Sequence, residues 1–385
     1  MSVQENKRFI EIFANNSSGI YHATQRYLLS ELENDSVIDT TEKNKIPVDG
    51  FGENAQFEEE RDLTSQLHNA YDTGPLFKYF QDGSRRTYKI ADISYNSRPY
   101  PIIAGQIAVG CIERINRHKF SQKDQILKTI LSVPSTAGSE DDLEEIRQNI
   151  IKKIKLKFGF SIDRIANYNG KPIKENESYE NRAIAVIHED MVDNEKAIVV
   201  KLSSLNFLSE EKYLLKDGSL EYSERARGAY TDLSIIRKHY QRVVGVSKQF
   251  NPESLAKHRR QRKIAEKIAF LKVFHRTPAF LYQSEHTAKN IYFAVWYLRI
   301  RERYARNSSP FDGILKVEKI LIGDEKDNGL DTSEVDLISA NLIIERNPTT
   351  FGKEARWHNH LYPVYVAETF VKSLFHSKEY FLNVI

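Results

Sequence analysis

The chain has 385 residues, and its 56 Lys+Arg and 53 Asp+Glu leave a formal net charge of only +3. Hydrophobic residues make up 40% of the chain, which is enough for a large buried core and excludes wholesale disorder. A single Cys excludes an internal disulfide and a zinc site built on a CxxC pair. No apolar run approaches the roughly 20 residues of a membrane-spanning helix, and the N-terminus lacks a secretory signal. We therefore expect an intracellular, cytoplasmic protein with no membrane segment.

The first half of the chain predicts a helix, a linker and then strands. Apolar residues recur at roughly helical spacing over 1–33, and the acidic, polar stretch 34–70 indicates a linker with a short helix. From Leu76 onward, aromatic and β-branched residues separated by turn signals favour neighbouring antiparallel strands. Residues 118–178 combine a Pro/Gly/Ser loop with an acidic helix start and a basic segment, so we expect an excursion out of the core sheet.

The second half alternates helices and strands. An apolar stripe predicts a helix over 180–202, and KYLLKDGSL predicts a strand that ends in a turn. The later patterns predict strands at 243–246, 291–304 and 313–322, a very basic helix at 255–274, and helices over 336–348 and 362–381. Together they indicate an α/β fold with one mixed sheet flanked by helices.

Two copies of Asp-Gly-Ser carry the clearest chemical signal. Asp82 follows the strand-like FKYFQ, and Asp217 follows KYLLK. Asp-Gly is also the commonest tight-turn dipeptide, so each copy alone favours a plain turn. Two such strands side by side would bring both carboxylates together, where like charges raise one pKa or recruit a cation. Oxygen ligands favour Mg²⁺ or Mn²⁺, and a pair of such ions is the usual device for phosphodiester cleavage.

Further motifs share an order along the chain with these acids: DGSRR (82–86), LLKDGSL (214–220), VVGVSK (243–248), WYLRIR (296–301), GILKVE (313–318) and LYPVYVAETF (361–370). On these motifs the chain resembles NurA-type nucleases, the partners of HerA-type hexameric DNA-translocating ATPases. The resemblance implies an RNase H-like fold, a Mn²⁺- or Mg²⁺-dependent deoxyribonuclease with two metal ions, a homodimer, and a role in DNA end processing or anti-phage defence. It divides the chain into an N-terminal helical extension (1–70), which could contact the partner, and a nuclease domain (71–385) with 118–178 as an insertion.

The resemblance also assigns the metal ligands. Asp82 and Asp217 match the family's two strand acids. The family places a Glu on the helix between them, for which Glu189 and Asp190 are candidates and Glu189 is preferred. A solvated helix face explains Glu189 equally well. Glu368 matches the last ligand, on the C-terminal helix, where the family often has His or Asp.

Two further catalytic residues follow from the same resemblance. Lys248 would lie near the site, where a cation could hold the scissile phosphate; a strand-end surface lysine is the plain alternative. Tyr362 or His360 would take the place of the family tyrosine. Packing of an aromatic at a helix start explains Tyr362 without any catalytic role, and Pro363 suits such a start.

Basic residues supply the candidates for DNA contact. Arg85 and Arg86 sit beside the first acid, and a concentrated block holds Lys257, Arg259, Arg260, Arg262, Lys263 and Lys267. A charge run is usually a solvated helix face, but a DNA nuclease needs cations along the path of the backbone. Trp357, His358 and His360 make a weak metal motif and are expected at the mouth of the site.

Two alternatives remain open at the level of sequence. The chain has no GxxxxGK[ST] loop, so an ATP-driven motor of that type would have to come from a partner ATPase. A catalytically degenerate nuclease fold could serve such an ATPase as a DNA-binding adaptor, with its Asp-Gly pairs acting only as turns. An RNA-directed enzyme of the same fold class is a further alternative.

Overall fold

The structure is a computed structural model. It describes residues 8–29, 45–57, 59–153, 161–173, 177–220, 239–248, 250, 259–284, 291–303, 309–348 and 358–385. The strands in these ranges are β1 (Ile20–His22), β2 (Tyr27–Leu28), β3 (Lys45–Phe51), β4 (Arg61–Asp62), β5 (Phe77–Tyr95), β6 (Arg98–Asn116), β7 (Lys119–Pro134), β8 (Arg164–Tyr168), β9 (Tyr213–Asp217), β10 (Val243–Ser247), β11 (His275–Arg276), β12 (Phe280–Ser284), β13 (Tyr292–Arg299) and β14 (Ile314–Ile320).

The helices flank this set of strands. They are α1 (Phe9–Asn16), α2 (Thr64–Thr73), α3 (Glu140–Lys153), α4 (Tyr179–Ser204), α5 (Arg259–Ala269), α6 (Glu325–Asn328), α7 (Thr332–Glu345), α8 (Tyr362–Ser373) and α9 (Lys378–Val384). The helices predicted over 180–202 and 336–348 are confirmed as α4 and α7, whereas the single helix predicted over 362–381 is divided into α8 and α9. Within the described ranges, no helix is both long and apolar enough to span a membrane.

One mixed sheet organises the molecule, with the strand order β3-β12-β13-β14-β10-β9-β5-β6-β7-β8. Strands β5, β6 and β7 form an antiparallel meander, whereas β9 runs parallel to β5 and β10 parallel to β9. Alternate residues put Phe80 and Leu215 into a core with α2, α7 and α8, and Tyr79 and Leu214 into a core with α4 on the opposite face. The predicted mixed sheet with helices on its faces is therefore confirmed.

The first Asp-Gly-Ser does not form a turn. Asp82, Gly83 and Ser84 continue β5 in extended conformation and pair with Gly110, Val109 and Ala108 of β6. The plain-turn reading is wrong here because a long ladder with an aliphatic partner strand outweighs the local turn preference of one dipeptide. At the second copy, β9 does end at Asp217, and Gly218 has a φ of +84°, which favours glycine.

The regions outside the predicted core belong to the sheet. Residues 118–178 are not an excursion, because β7 pairs along β6 and β8 pairs in parallel with β7. The first half of β7 is polar and exposed, which hid its strand character in the sequence. The N-terminal segment is likewise more than a helical extension: β1 and β2 pair with β5, and β3 forms the edge beside β12. A partner interface in 1–70 stays a prediction.

A buried ion network ties the N-terminal segment to the rest of the domain. The fully buried Arg276 donates to both carboxylate oxygens of Glu53, at 2.9 and 2.8 Å, and to Asp336 of α7 at 2.7 Å. Arg61 of β4 donates to the other oxygen of Asp336 at 2.7 Å. Because the Arg276 guanidinium binds both carboxylates, its loss leaves the buried negative charge of Glu53 without its cation partner.

We therefore expect Arg276→Ala to destabilise the whole domain by about 3–5 kcal/mol, since it strips the buried partner from Glu53 and Asp336. Urea unfolding followed by circular dichroism measures the change. Lys272→Ala is the matched control, because Lys272 pairs with Glu60 at 2.7 Å but its side chain is 73% exposed, and such pairs contribute under about 1 kcal/mol. Similar losses in the two variants would show that the network does not anchor the segment.

Candidate functional site

The sheet brings the two predicted strand acids together. Gln81 of β5 pairs with Lys216, so Asp217 at the end of β9 lies alongside Asp82. Val246 of β10 pairs with Asp217, and Lys248 follows two residues later. Since alternate residues on a strand share a face, the side chains of Asp82, Asp217 and Lys248 all reach the face that α8 covers.

The Lys248 ammonium joins two carboxylates at this point. Its Nζ lies 2.9 Å from Asp217 Oδ2 and 3.2 Å from Oε2 of Glu368, which projects from α8. Lys372, one helical turn after Glu368, also binds Glu368, at 2.7 Å. Although partial burial opposes ionisation, Lys248 and then Lys372 lower the pKa of Glu368 to about 2. Burial alone would lower the pKa of Lys248, but Asp217, Glu368 and Asp82 together raise it.

Asp82 is the least compensated acid of the group. It is buried, and its carboxylate makes no hydrogen bond or ion pair with the residues that the structure describes. Burial raises the pKa of Asp82 well above its ordinary value; Asp217, Glu368 and Glu195 raise it further, and Lys248 offsets only part of this. A buried carboxyl of this kind needs either a proton or additional positive charge to be stable.

The acid that α4 contributes is Glu195, not the predicted Glu189 or Asp190. A Cβ placed on Gly83 would lie 2.3 Å from Glu195 Oε1, so the missing side chain of Gly83 lets this carboxylate reach β5 next to Asp82. Lys216 Nζ binds Glu195 at 2.8 Å, and Gln81 Nε2 donates to its main-chain oxygen at 2.8 Å. Glu195 thus approaches the site from the sheet face opposite to α8.

The two predicted α4 acids point elsewhere. Asp190 forms an ion pair with Arg164 of β8. Glu189 lies six residues before Glu195, which turns its side chain away by roughly 120° on a helix of 3.6 residues per turn. A signal for Glu195 was present in the sequence: it occupies a position in the apolar stripe of α4, whose buried members include Ile187, Met191, Ile198 and Leu202. An acid within such a stripe is a candidate for a site.

The two candidates for the family tyrosine each pack against another aromatic side chain. Tyr362 lies at the start of α8 and packs against Phe120, with ring centroids 6.2 Å apart. The ring of His360 packs against Tyr365 at 6.2 Å. The packing of Tyr362 matches that of a helix-start aromatic, and a catalytic role for Tyr362 stays a prediction. The predicted Trp357 lies outside the described residues.

The predicted DNA-contacting arginines diverge. Arg85 points to the α4 face, where its Nη1 donates to His188 Nδ1 at 3.1 Å. Arg86 points to the face of Asp82, with its guanidinium 4.8 Å from the ring centre of Phe375. The basic helix is confirmed as α5, but the side chains of Arg259, Arg260, Arg262 and Lys263, and all of Lys257, lie outside what the structure describes.

The donor set has the chemistry of a hard-cation site. Asp82, Asp217, Glu368 and Glu195 offer only carboxylate oxygens, which Mg²⁺ and Mn²⁺ prefer. Across the described ranges, no three His, Cys, Asp or Glu side chains are arranged closely enough to enclose a metal as they stand. The ammonium of Lys248 lies between two of the acids. The uncompensated Asp82 indicates that this arrangement suits more positive charge than Lys248 supplies.

No protein-family model matches the chain, and no curated protein matches its sequence.

The raised pKa of Asp82 leads to a stability prediction. The charged carboxyl of Asp82 destabilises the folded state. This loss of folding free energy is absent below the pKa of the unfolded chain, about 3.9. It grows as the pH rises above that value and is complete above the raised pKa of the folded state. Asp82→Asn should therefore be more stable than the wild type at neutral pH, by about 1 kcal/mol, as at other strained sites. Urea unfolding without metal between pH 3 and pH 8 measures this difference. Asp141→Asn at an exposed position of α3 is the control, and a loss of stability in Asp82→Asn at neutral pH would contradict the assignment.

Proposed function

We propose that this protein is a metal-dependent DNA nuclease with an RNase H-like core. The observation that carries the proposal is the buried Asp82, which lies beside Asp217 and near Glu368, with the Lys248 ammonium between those two acids. A structural ion pair needs no third acid, whereas a site for divalent cations needs several.

The strand arrangement supports the RNase H-like part of the proposal. An antiparallel meander, β5 to β7, is followed along the chain by β9, which pairs in parallel with β5, and by β10, which pairs in parallel with β9. The acids lie on the first strand of the meander and at the end of the next parallel strand, as the resemblance to NurA-type nucleases implies.

Asp82, Asp217 and Glu368 would hold the cations from the α8 face, and Glu195 would reach them beside Gly83. Bound divalent ions, probed as Mn²⁺ or Mg²⁺, would supply an activated water and stabilise the leaving 3′ oxygen. Lys248 would then transfer its charge-assisted hydrogen bonds from the acids to a phosphate oxygen of the substrate. Arg86 would add positive charge on the same face.

The partners in this proposal come from the resemblance. A HerA-like hexameric ATPase would move the DNA, and two copies of the chain would form a homodimer that works with it in DNA end processing or anti-phage defence. The supporting observation within the chain is that its sequence has no GxxxxGK[ST] loop, so an ATP-driven motor of that type would have to be another protein.

The central test is cleavage of DNA by the purified protein in Mn²⁺. Asp217→Asn should lower the rate by at least about 10³-fold, because it removes a ligand while preserving shape. Asp141→Asn, an exposed acid of α3, should keep full activity. Labelled single-stranded DNA, duplex DNA and RNA of one sequence give the substrate preference, and full activity of both Asp82→Asn and Asp217→Asn would refute the proposed site.

A paired substitution distinguishes the two acids of α4. Glu195→Gln should lose most activity, because the neutral amide no longer offers an anionic ligand beside Gly83. Glu189→Gln should behave like the wild type, since its side chain lies on another side of the helix. DNA cleavage at several Mn²⁺ concentrations measures both, and the reverse result would return the ligand role to Glu189.

The adaptor alternative has one observation in its favour. Lys248 already neutralises Asp217 and Glu368 without a metal, as expected if the acids were only structural. Titration with Mn²⁺, followed by electron paramagnetic resonance, separates the alternatives. A nuclease should bind Mn²⁺ and lose that binding in Asp82→Asn and Asp217→Asn, whereas an adaptor should show no Mn²⁺ binding that depends on these two acids.

A further inference from the structure

Asn359 connects the end of β10 to the rest of the fold. It lies in the short turn between His358 and His360, just before α8. Its Nδ2 donates to the main-chain oxygen of Lys248 at 2.8 Å, and its Oδ1 accepts from the main-chain N–H of Gly313 at 2.6 Å. One side chain thus links Lys248 to the loop that precedes β14.

Both supports of this link are firmly held. Arg301 Nη1 donates to the main-chain oxygens of His358 and His360, at 2.8 and 3.0 Å, which fixes the turn on each side of Asn359. Gly313 has a φ of +77°, and a Cβ added to it would lie 2.4 Å from the Arg301 main-chain oxygen. Only glycine suits that position, so the Gly313 N–H, which donates to Asn359, is fixed as well.

The other end of this chain of contacts is the candidate site. Lys248 follows β10 directly, and its ammonium spans the space between Asp217 and Glu368. Where the ammonium lies therefore depends on where the Lys248 main chain is held. An amide is needed there because the position requires one acceptor, for Gly313 N–H, and one donor, for Lys248 O.

We propose that Asn359 is a positioning residue that sets the place of the Lys248 ammonium among the carboxylates. The inference rests on the function proposed for this site, because Lys248 there balances the acids and later binds the phosphate. Asn359 acts through the main chain of Lys248 and does not itself contact the acids or the substrate.

A double-mutant cycle tests this inference with Asn359→Ala, Lys248→Met and the double variant. Without metal, Asn359→Ala should lower the unfolding midpoint clearly less in the Lys248→Met background than in the wild type, because the ion pairs that Asn359 helps to form are already gone.

Mn²⁺ affinity, measured by paramagnetic resonance, should rise about three- to tenfold with Asn359→Ala alone, as expected for residues in one network. It should stay unchanged when Asn359→Ala is added to Lys248→Met. DNA cleavage should fall with Asn359→Ala only where Lys248 is present.

Two further variants keep the test decisive. Asn341→Ala is the matched control: Asn341 Oδ1 accepts from Leu76 N and its Nδ2 donates to Leu337 O, both at 2.9 Å, on α7. It should destabilise the fold equally in both backgrounds. Asn359→Asp keeps the acceptor for Gly313 but loses the donor toward Lys248. It should therefore show the same coupling to Lys248 that is expected for Asn359→Ala, and it replaces Asn359→Ala in the cycle if the alanine variant folds poorly.

The outcomes separate this inference from the proposed function. Equal effects of Asn359→Ala in both backgrounds, on unfolding and on Mn²⁺ affinity, would overturn the positioning role whether or not the protein cleaves DNA. Coupling between Asn359 and Lys248 in a protein that does not cleave nucleic acid would support the positioning role and refute the nuclease function.

Discussion

The balance between one ammonium and several carboxylates is the constraint on which this structure depends. Asp82, Asp217 and Glu368 come from three elements that are far apart in the sequence, and Lys248 is the cation that joins two of them. Like charges so close repel, and burial of Asp82 increases the cost. A fold that contains such a group must hold it in place with rigid neighbouring elements and offset its cost with other interactions. This combination is typical of functional sites.

The sheet provides that rigidity through its mixture of strand directions. β5 continues past Asp82 into a long hairpin with β6, while β9, which pairs with β5 over Phe77–Gln81, ends beside Asp82 with β10 next to it. The ends of the parallel strands therefore meet the interior of a long, fixed strand. Glycine allows close approach from both sides: Gly83 admits Glu195 of α4, and Gly110 admits Phe370 and Val371 of α8.

The sequence predicted the parts of this arrangement that depend on local pattern. Asp82 and Asp217 could be paired because each follows an apolar strand, and α4 and α8 could be placed from their periodicity. Glu195 was missed because acids in a helix are read as solvent-exposed, although its place in the apolar stripe of α4 indicated burial. The strand β7 was missed because its first half is polar and exposed and lacks an apolar alternation. Contacts that depend on tertiary approach, such as Asn359 with Lys248, leave no local pattern to read.

The N-terminal segment, which lies outside the resemblance, takes part in shaping the site. Lys45 at the start of β3 binds the buried Glu318 of β14, and Glu318 also accepts from Ser219 Oγ at 2.9 Å and Leu220 N at 3.1 Å. These last two residues form the turn after Asp217. Lys216 and Asp217, neighbours on β9, meet opposite charges on opposite faces, Glu195 on one and Lys248 on the other. The strand end that carries Asp217 is thus fixed by charge from both sides of the sheet. Because Glu195 is already paired with Lys216, the negative charge that most needs a further cation lies with Asp82 on the α8 face. The small net charge of the chain conceals this local imbalance, since it adds together groups that the fold assigns to separate faces.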